Sequence, residues 1–160
     1  MRWEEFETAA PELASFGRER IEATRLVLLG TLRRDGWPRL SPCEAYIVDG
    51  DLMLGMMPRS TKVRDLERDP RLTVMTPQAD REPVYGDLKL YGQAVPVIEP
   101  ERRNALADAQ EAAIGWRPTG DFPLFAVDIE RAGYISFGKS ARLLRWTAGG
   151  PVERLRHPDE

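Results

Sequence analysis

Asp49-Gly50-Asp51-Leu52-Met53-Leu54-Gly55-Met56-Met57-Pro58-Arg59-Ser60-Thr61-Lys62, continuing from Val63 to Leu72, is the stretch on which the fold turns. In order it reads as a tight turn, a short apolar strand, a basic hydroxyl-bearing loop, one short helix and a further strand. A loop that presents Arg59, Ser60, Thr61 and Lys62 at the start of a helix suits a phosphate. The first-turn N–H groups lack intrahelical partners, and the helix dipole favours negative charge there. Guanidinium and ammonium groups add charge-assisted hydrogen bonds. Lysine occurs only at positions 62, 89 and 139, which makes its placement in this loop notable. Read locally, the segment fits equally a plain surface helix capped by Ser60 with two solvated cations beside it.

Outward from this stretch, strand signals dominate. Towards the N-terminus, Pro11 to Thr24 has helical spacing of Leu13, Phe16, Ile21 and Thr24 behind an early proline. Leu26 to Leu32 is an apolar run of strand length, and Arg34-Asp35-Gly36 supplies a hairpin turn into Pro38–Val48. Pro42 cannot donate to a ladder, so it belongs at an edge or a bulge. Asp49-Gly50-Asp51 is a second hairpin turn, into Leu52–Met56.

Towards the C-terminus, the short helix runs from about Thr61 to Arg68 and stops before Asp69-Pro70. Arg71–Thr76 reads as a strand and Pro77–Gly86 as a polar loop. Asp87 to Val97 alternates as a half-buried strand should. Pro100 opens a polar helix from Glu101 to about Ala113, and Leu124–Ile129, Tyr134–Phe137 and Leu143–Trp146 complete the strands. Six or more short strands with hairpin turns and three helices predict a mainly β (α+β) chain built on a small antiparallel barrel.

Composition narrows the chemistry. At 160 residues, 42% hydrophobic and 31% charged, the chain suits a single globular domain over 1–160. A net charge of −3 points to neither nucleic acid nor an acidic membrane. No run nears the ~18 apolar residues of a spanning helix. Met1-Arg2-Trp3-Glu4-Glu5 lacks the apolar core of a signal peptide, and a cytoplasmic protein is expected. The lone Cys43 rules out an internal disulfide. The lone His157 sits in Arg156-His157-Pro158-Asp159-Glu160, read as a loose, solvated tail. Histidine-dependent triads and zinc sites are therefore excluded, and no side chain is assigned a catalytic role. Hard chemistry would have to come from a bound cofactor.

Gly133-Tyr134-Ile135-Ser136-Phe137-Gly138-Lys139-Ser140 matches the Walker A pattern letter for letter. Its interior residues are strand formers, and Ala148-Gly149-Gly150-Pro151 breaks the chain barely two helical turns beyond Ser140. A P-loop needs a turn after a buried parallel strand and a long helix behind it, so a hairpin turn at Gly138 is the better reading.

The order of elements and the loop residues resemble the pyridoxamine 5′-phosphate oxidase-like split-barrel flavoproteins. The carrying features are the Gly30-Thr31 strand, Asp35-Gly36-x-Pro38, Ser41-Pro42, Asp49-Gly50-Asp51-Leu52-x-Leu54, Ser60-Thr61-Lys62, Leu66-x-x-Asp69-Pro70-x-Leu72 and Tyr91-Gly92-Gln93-Ala94. The resemblance implies a six-stranded antiparallel split β-barrel with flanking helices. It also implies a homodimer with FMN, or alternatively the 8-hydroxy-5-deazaflavin coenzyme, bound in clefts between subunits. Arg59, Ser60, Thr61 and Lys62 would then hold the cofactor phosphate. Arg39, Leu40 and Ser41, with Met56 and Met57, would line the ring and ribityl chain. Asp87 and Lys89 fall where relatives reach the ribityl chain or ring edge, and Trp116, with Arg117, would come from the partner subunit. Judged without the resemblance, Leu40, Met56 and Met57 suit a core, and Trp116 suits a dimer-packing anchor.

The implied activity is hydride transfer between the cofactor and a small organic substrate; the alternative is a split barrel that binds or senses flavin without turnover. True pyridoxamine phosphate oxidases are longer and end in an Arg-x-His-Arg type substrate segment, which the tail after Trp146 lacks, so vitamin B6 oxidation is not expected. Haem-handling relatives share the barrel, but here only His157 or Cys43 could ligate iron.

Overall fold

The computed structural model describes residues 1–78, 86–138 and 141–157. Four helices and eight strands follow one another: α1 (Trp3–Ala9), α2 (Pro11–Thr24), β1 (Leu26–Leu32), β2 (Pro38–Val48), β3 (Asp51–Gly55), α3 (Thr61–Arg68), β4 (Arg71–Met75), β5 (Asp87–Pro96), α4 (Pro100–Ile114), β6 (Leu124–Ser136), β7 (Arg142–Thr147) and β8 (Glu153–Leu155). Every pairing is antiparallel, in the order β3-β2-β1-β4-β5-β6-β7-β8. A further pairing of β3 with β6, Met53 opposite Ala126, closes six strands into a barrel, with β7 and β8 as an extension.

Turn chemistry sets the register. Asp49 and Gly50 have φ of 50° and 76°, the two positive values a tight I′ hairpin demands between β2 and β3. A second constraint lies between β5 and β6, where the register shifts at Tyr91/Gly92. A Cβ on Gly92 would stand 1.9 Å from the Asp128 carbonyl oxygen, so the strands approach there only because position 92 has no side chain.

Alternation along β1 buries Val27, Leu29 and Thr31 inside the barrel and leaves Leu26, Leu28 and Gly30 facing out. α1 and α2 plug one end. Trp3 and Phe6 are fully buried, with their rings edge-on at 5.6 Å, and Phe6 meets Trp146 at 5.1 Å. A second apolar cluster, Tyr46, Met53, Val97, Leu106, Leu124 and Ala126, lies beneath α4.

Several sequence readings change. α1 and β8 were not anticipated, and β6 is one continuous strand where two were expected. His157 is no loose tail: it is 2% exposed and packs edge-on against Phe137 at 5.3 Å. Lys139 and Ser140 of the Walker-like octet, and most of the expected 77–86 loop, lie outside the described residues. Gly133 to Ser136 belongs to β6, an antiparallel strand, which removes the parallel setting of a P-loop. No described helix is long and apolar enough to cross a membrane.

Candidate functional site

The barrel is split beside β2. Its second half pairs with β3 from Glu44 opposite Gly55 onward, whereas Pro38 to Cys43 pairs only with β1. Beyond Gly55 the chain leaves the sheet through Met56-Met57-Pro58 towards α3, and a cleft opens between the two. Pro42 sits on that open edge, where its missing N–H costs no ladder bond. Lys62 Nζ, reaching back from α3, donates to the Pro42 carbonyl at 2.8 Å.

The cleft has a volume of about 540 Å³. Its apolar wall includes Leu26, Met56, Met57, Trp116 and Phe122, and its polar groups are Glu44, Lys62, Gln110, Thr119 and Asp121. Met57 and Trp116 are 76% and 55% exposed, so two large apolar side chains stand at its mouth. Cys43 also lines it; burial pushes its thiol up to about 11, opposed by the neighbouring Lys62. A thiol so placed stays protonated near neutrality.

α3 carries the basic loop. Ser60 is its N-cap residue, yet its side chain makes no capping bond, and its Oγ is buried without a hydrogen-bond partner among the described residues. Buried hydroxyls are ordinarily paired. Arg59, just before it, holds a φ of 143°, a conformation L-residues rarely adopt. The helix is fastened to the barrel by Asp65, which is 4% exposed. Asp65 accepts from Arg39 Nε at 2.6 Å and Thr31 Oγ1 at 3.0 Å, with Arg68 at 3.5 Å. Burial alone would push its carboxyl up, but the Arg39 and Thr31 hydrogen bonds and the two cations outweigh it and hold the pKa below the ordinary value.

The cleft thus brings Met56, Met57, Lys62 and Trp116 into one wall. Arg39 is tied to Asp65 beneath α3, and Ser41 shares its strand face, with Leu40 on the opposite, outer face at 68% exposed. Arg59, Ser60 and Thr61 lie at the start of α3. Asp87 and Lys89 pair with each other, Asp87 also accepting from Gln78 Nε2 at 2.8 Å, and neither lines this cleft. Lys89 stands in the cross-strand row Lys89–Met75–Leu28–Pro42 on the outer face of the sheet. Arg117 ion-pairs with Asp108 and, at 3.1 Å, with Glu111 of its own chain. Glu44 and Gln110 went unnoticed in the sequence, since neither belongs to a motif. Among the described residues no cluster of His, Cys, Asp and Glu is grouped for a metal ion.

The sequence profile of pyridoxamine 5′-phosphate oxidase matches residues 16–136, from within α2 to the end of β6. The chain belongs to the pyridoxamine 5′-phosphate oxidase family. Members of this family of split barrels often bind flavin or haem. No functionally curated protein is recognisably similar in sequence. Among solved structures, a heme binding protein from Mycobacterium smegmatis is 25% identical with a TM-score of 0.68, over 86% of this chain but 58% of its own. PhzG from Burkholderia lata, solved in complex with tetrahydrophenazine-1-carboxylic acid, is 16% identical with a TM-score of 0.65, over 96% of this chain and 93% of its own. Campylobacter jejuni ChuZ is 15% identical with a TM-score of 0.73, over 91% and 63%. At 16% and 15% identity, the last two likenesses speak for the split-barrel fold of this pyridoxamine 5′-phosphate oxidase family member, not for its chemistry.

Proposed function

We propose that the protein is a homodimeric oxidoreductase that binds FMN beside α3 and docks a small organic substrate in the adjoining cleft. The observation that carries this reading is the buried Ser60 Oγ at the start of α3, which has no hydrogen-bond partner among the described residues. A phosphate at that helix start would supply the missing acceptor, meet the N–H groups of Thr61 and Lys62 (that of Val63 donates to the Ser60 carbonyl), and lie beside Arg59 and Lys62. Arg39, held to α3 through its Nε bond to Asp65, has further guanidinium N–H groups to offer an anion.

FMN, when bound, supplies hydride transfer. The chain's own work is positional. Met56 and Met57 offer adaptable apolar contact to a bound ring and Trp116 a flat one. Lys62 keeps a positive charge fixed over the open β2 edge. The exposed Leu26 and Leu40 lie on the outer sheet face with Met57 and Trp116 nearby in the cleft, an apolar surface suited to a second copy of this chain. Lys89 on that face would then approach the partner's cofactor. The deazaflavin coenzyme would need further cations along the cleft for its acidic tail, where Glu44 and Asp121 stand instead, which favours FMN. Haem fits less well: His157 is packed against Phe137, and Cys43 holds its proton.

The test is an absorbance titration of the purified protein with FMN and with the deazaflavin. A perturbed flavin band saturating at one FMN per subunit, lost in Lys62→Ala, is the expected result. No binding of either cofactor would overturn the reading. Flavin binding without reoxidation by quinones or nitro compounds would convert it to a flavin-binding module without turnover.

A further inference from the structure

We propose that Glu44 sets the specificity of the cleft by reading a cationic N–H group on the substrate, and that Gln110 is the residue that positions it. The inference rests on the reading of the cleft as a substrate site. Glu44 is an exposed side chain of the cleft wall, at the point where β2 passes from β1 alone to pairing with β3. Its Oε2 accepts from Gln110 Nε2 at 2.9 Å. Gln110, on α4, is only 3% exposed, and its own Oε1 has no partner among the described residues.

A buried carboxamide with an orphan carbonyl weakens a helix–barrel contact that an apolar side chain would improve. What it achieves here is to hold the Glu44 carboxylate in one orientation, with no donor to Oε1 among the described residues. Asp51, Asp65 and Asp87 each have a cationic partner, and Asp121 at the cleft rim is taken by Arg103 at 2.8 Å. Among the described residues no Lys or Arg lies within ion-pairing distance of Glu44, and the Lys62 ammonium is engaged by the Pro42 carbonyl. The cleft therefore presents one carboxylate, held by Gln110 and without an ion-pair partner among the described residues, beside Met56, Met57, Trp116 and Phe122. A flat apolar body bearing a protonated amine or amidine satisfies both parts, through a charge-assisted hydrogen bond and aromatic contact. A carboxylate placed at the same point would face the Glu44 carboxylate instead of a donor.

Two matched probes test this, benzylammonium and benzoate, by saturation-transfer NMR on the protein with and without FMN. Wild type should bind benzylammonium at least tenfold more tightly than benzoate. Glu44→Gln should abolish the preference and Glu44→Lys reverse it. Gln110→Leu should reduce the preference while Gln110→Asn partly restores it, an ordering that a purely structural role would not produce. Equal binding of the two probes, or a preference unchanged in Glu44→Gln, overturns the proposal. Flavin absorbance reports cofactor binding separately, so a protein that ignores FMN yet prefers benzylammonium through Glu44 refutes the cofactor reading alone. Intact FMN binding without the preference refutes this one alone.

Discussion

Arg39 Nε donates to Asp65 Oδ2 at 2.6 Å across 26 residues of chain, joining the open half of β2 to α3. Of this ion pair, Asp65 is buried and Arg39 is 27% exposed, and the Lys62 bond to the Pro42 carbonyl adds a second tie between α3 and the same strand. The phosphate-binding candidate and the strand edge beside it move together or not at all.

Asp65→Asn should expose the value of that link. Its amide can still accept from Thr31, but Arg39 loses its counter-charge in a partly buried setting. We expect a loss of about 2 kcal/mol, below the figure for a fully buried pair because Arg39 retains some hydration. Urea denaturation should record it as a lower midpoint with an unchanged slope.

Acid should act through the same carboxyl. Asp65 titrates below its ordinary value of 3.8 in the folded chain, so its stabilising contribution is complete above that value. The contribution is lost as pH falls through the depressed folded value. Unfolding midpoints followed from pH 6 down to about pH 2 should fall in wild type and fall less in Asp65→Asn.

Ser60→Ala separates fold from ligand. It removes a buried hydroxyl with no partner among the described residues, so the protein without cofactor should be as stable as wild type or slightly more so. FMN affinity should drop about tenfold, the equivalent of one hydrogen bond of about 1.4 kcal/mol. Thermal melts with and without FMN check both halves; a stability loss without a change in affinity would contradict the phosphate assignment.

Arg59→Gly should raise stability at the expense of binding. Its φ of 143° is strained for arginine and free for glycine, which offsets glycine's greater chain entropy. A gain of about 1 kcal/mol, or roughly 3 °C in Tm, is expected from calorimetry. FMN affinity should fall with the lost guanidinium.

Much of the architecture was legible because local signals agreed with tertiary need. Pro11–Thr24, Leu26–Leu32, Pro38–Val48 and Thr61–Arg68 were delimited by proline, Asp-Gly turns and hydrophobic period, and the structure places the same boundaries. α1 escaped because it has seven residues, Arg2 in place of a standard cap, and an acidic first turn; Trp3 and Phe6 make it a helix only by packing on the barrel. β6 looked broken because Glu130-Arg131-Ala132-Gly133 is polar and glycine-bearing, the signature of its bulge opposite Tyr91/Gly92. His157 gave no local hint, since its burial depends on Phe137, twenty residues earlier. In the candidate site, the loop residues announced themselves by charge. Glu44 and Gln110 meet across 66 residues and only the folded chain unites them.

The closing pair of the barrel carries a consequence for the birth of the molecule. Met53 meets Ala126, so a ribosome must deliver more than three-quarters of the chain before the ring can shut. Until then β3 is a bare sheet edge, composed of Leu52, Met53 and Leu54, all fully buried once the ring is closed. Such an edge is a template for wrong pairing, and its late cover by β6 makes closure a slow, non-local event. The ring of the barrel thus shuts only when β6 reaches β3, leaving β7 and β8 to be added to a closed sheet.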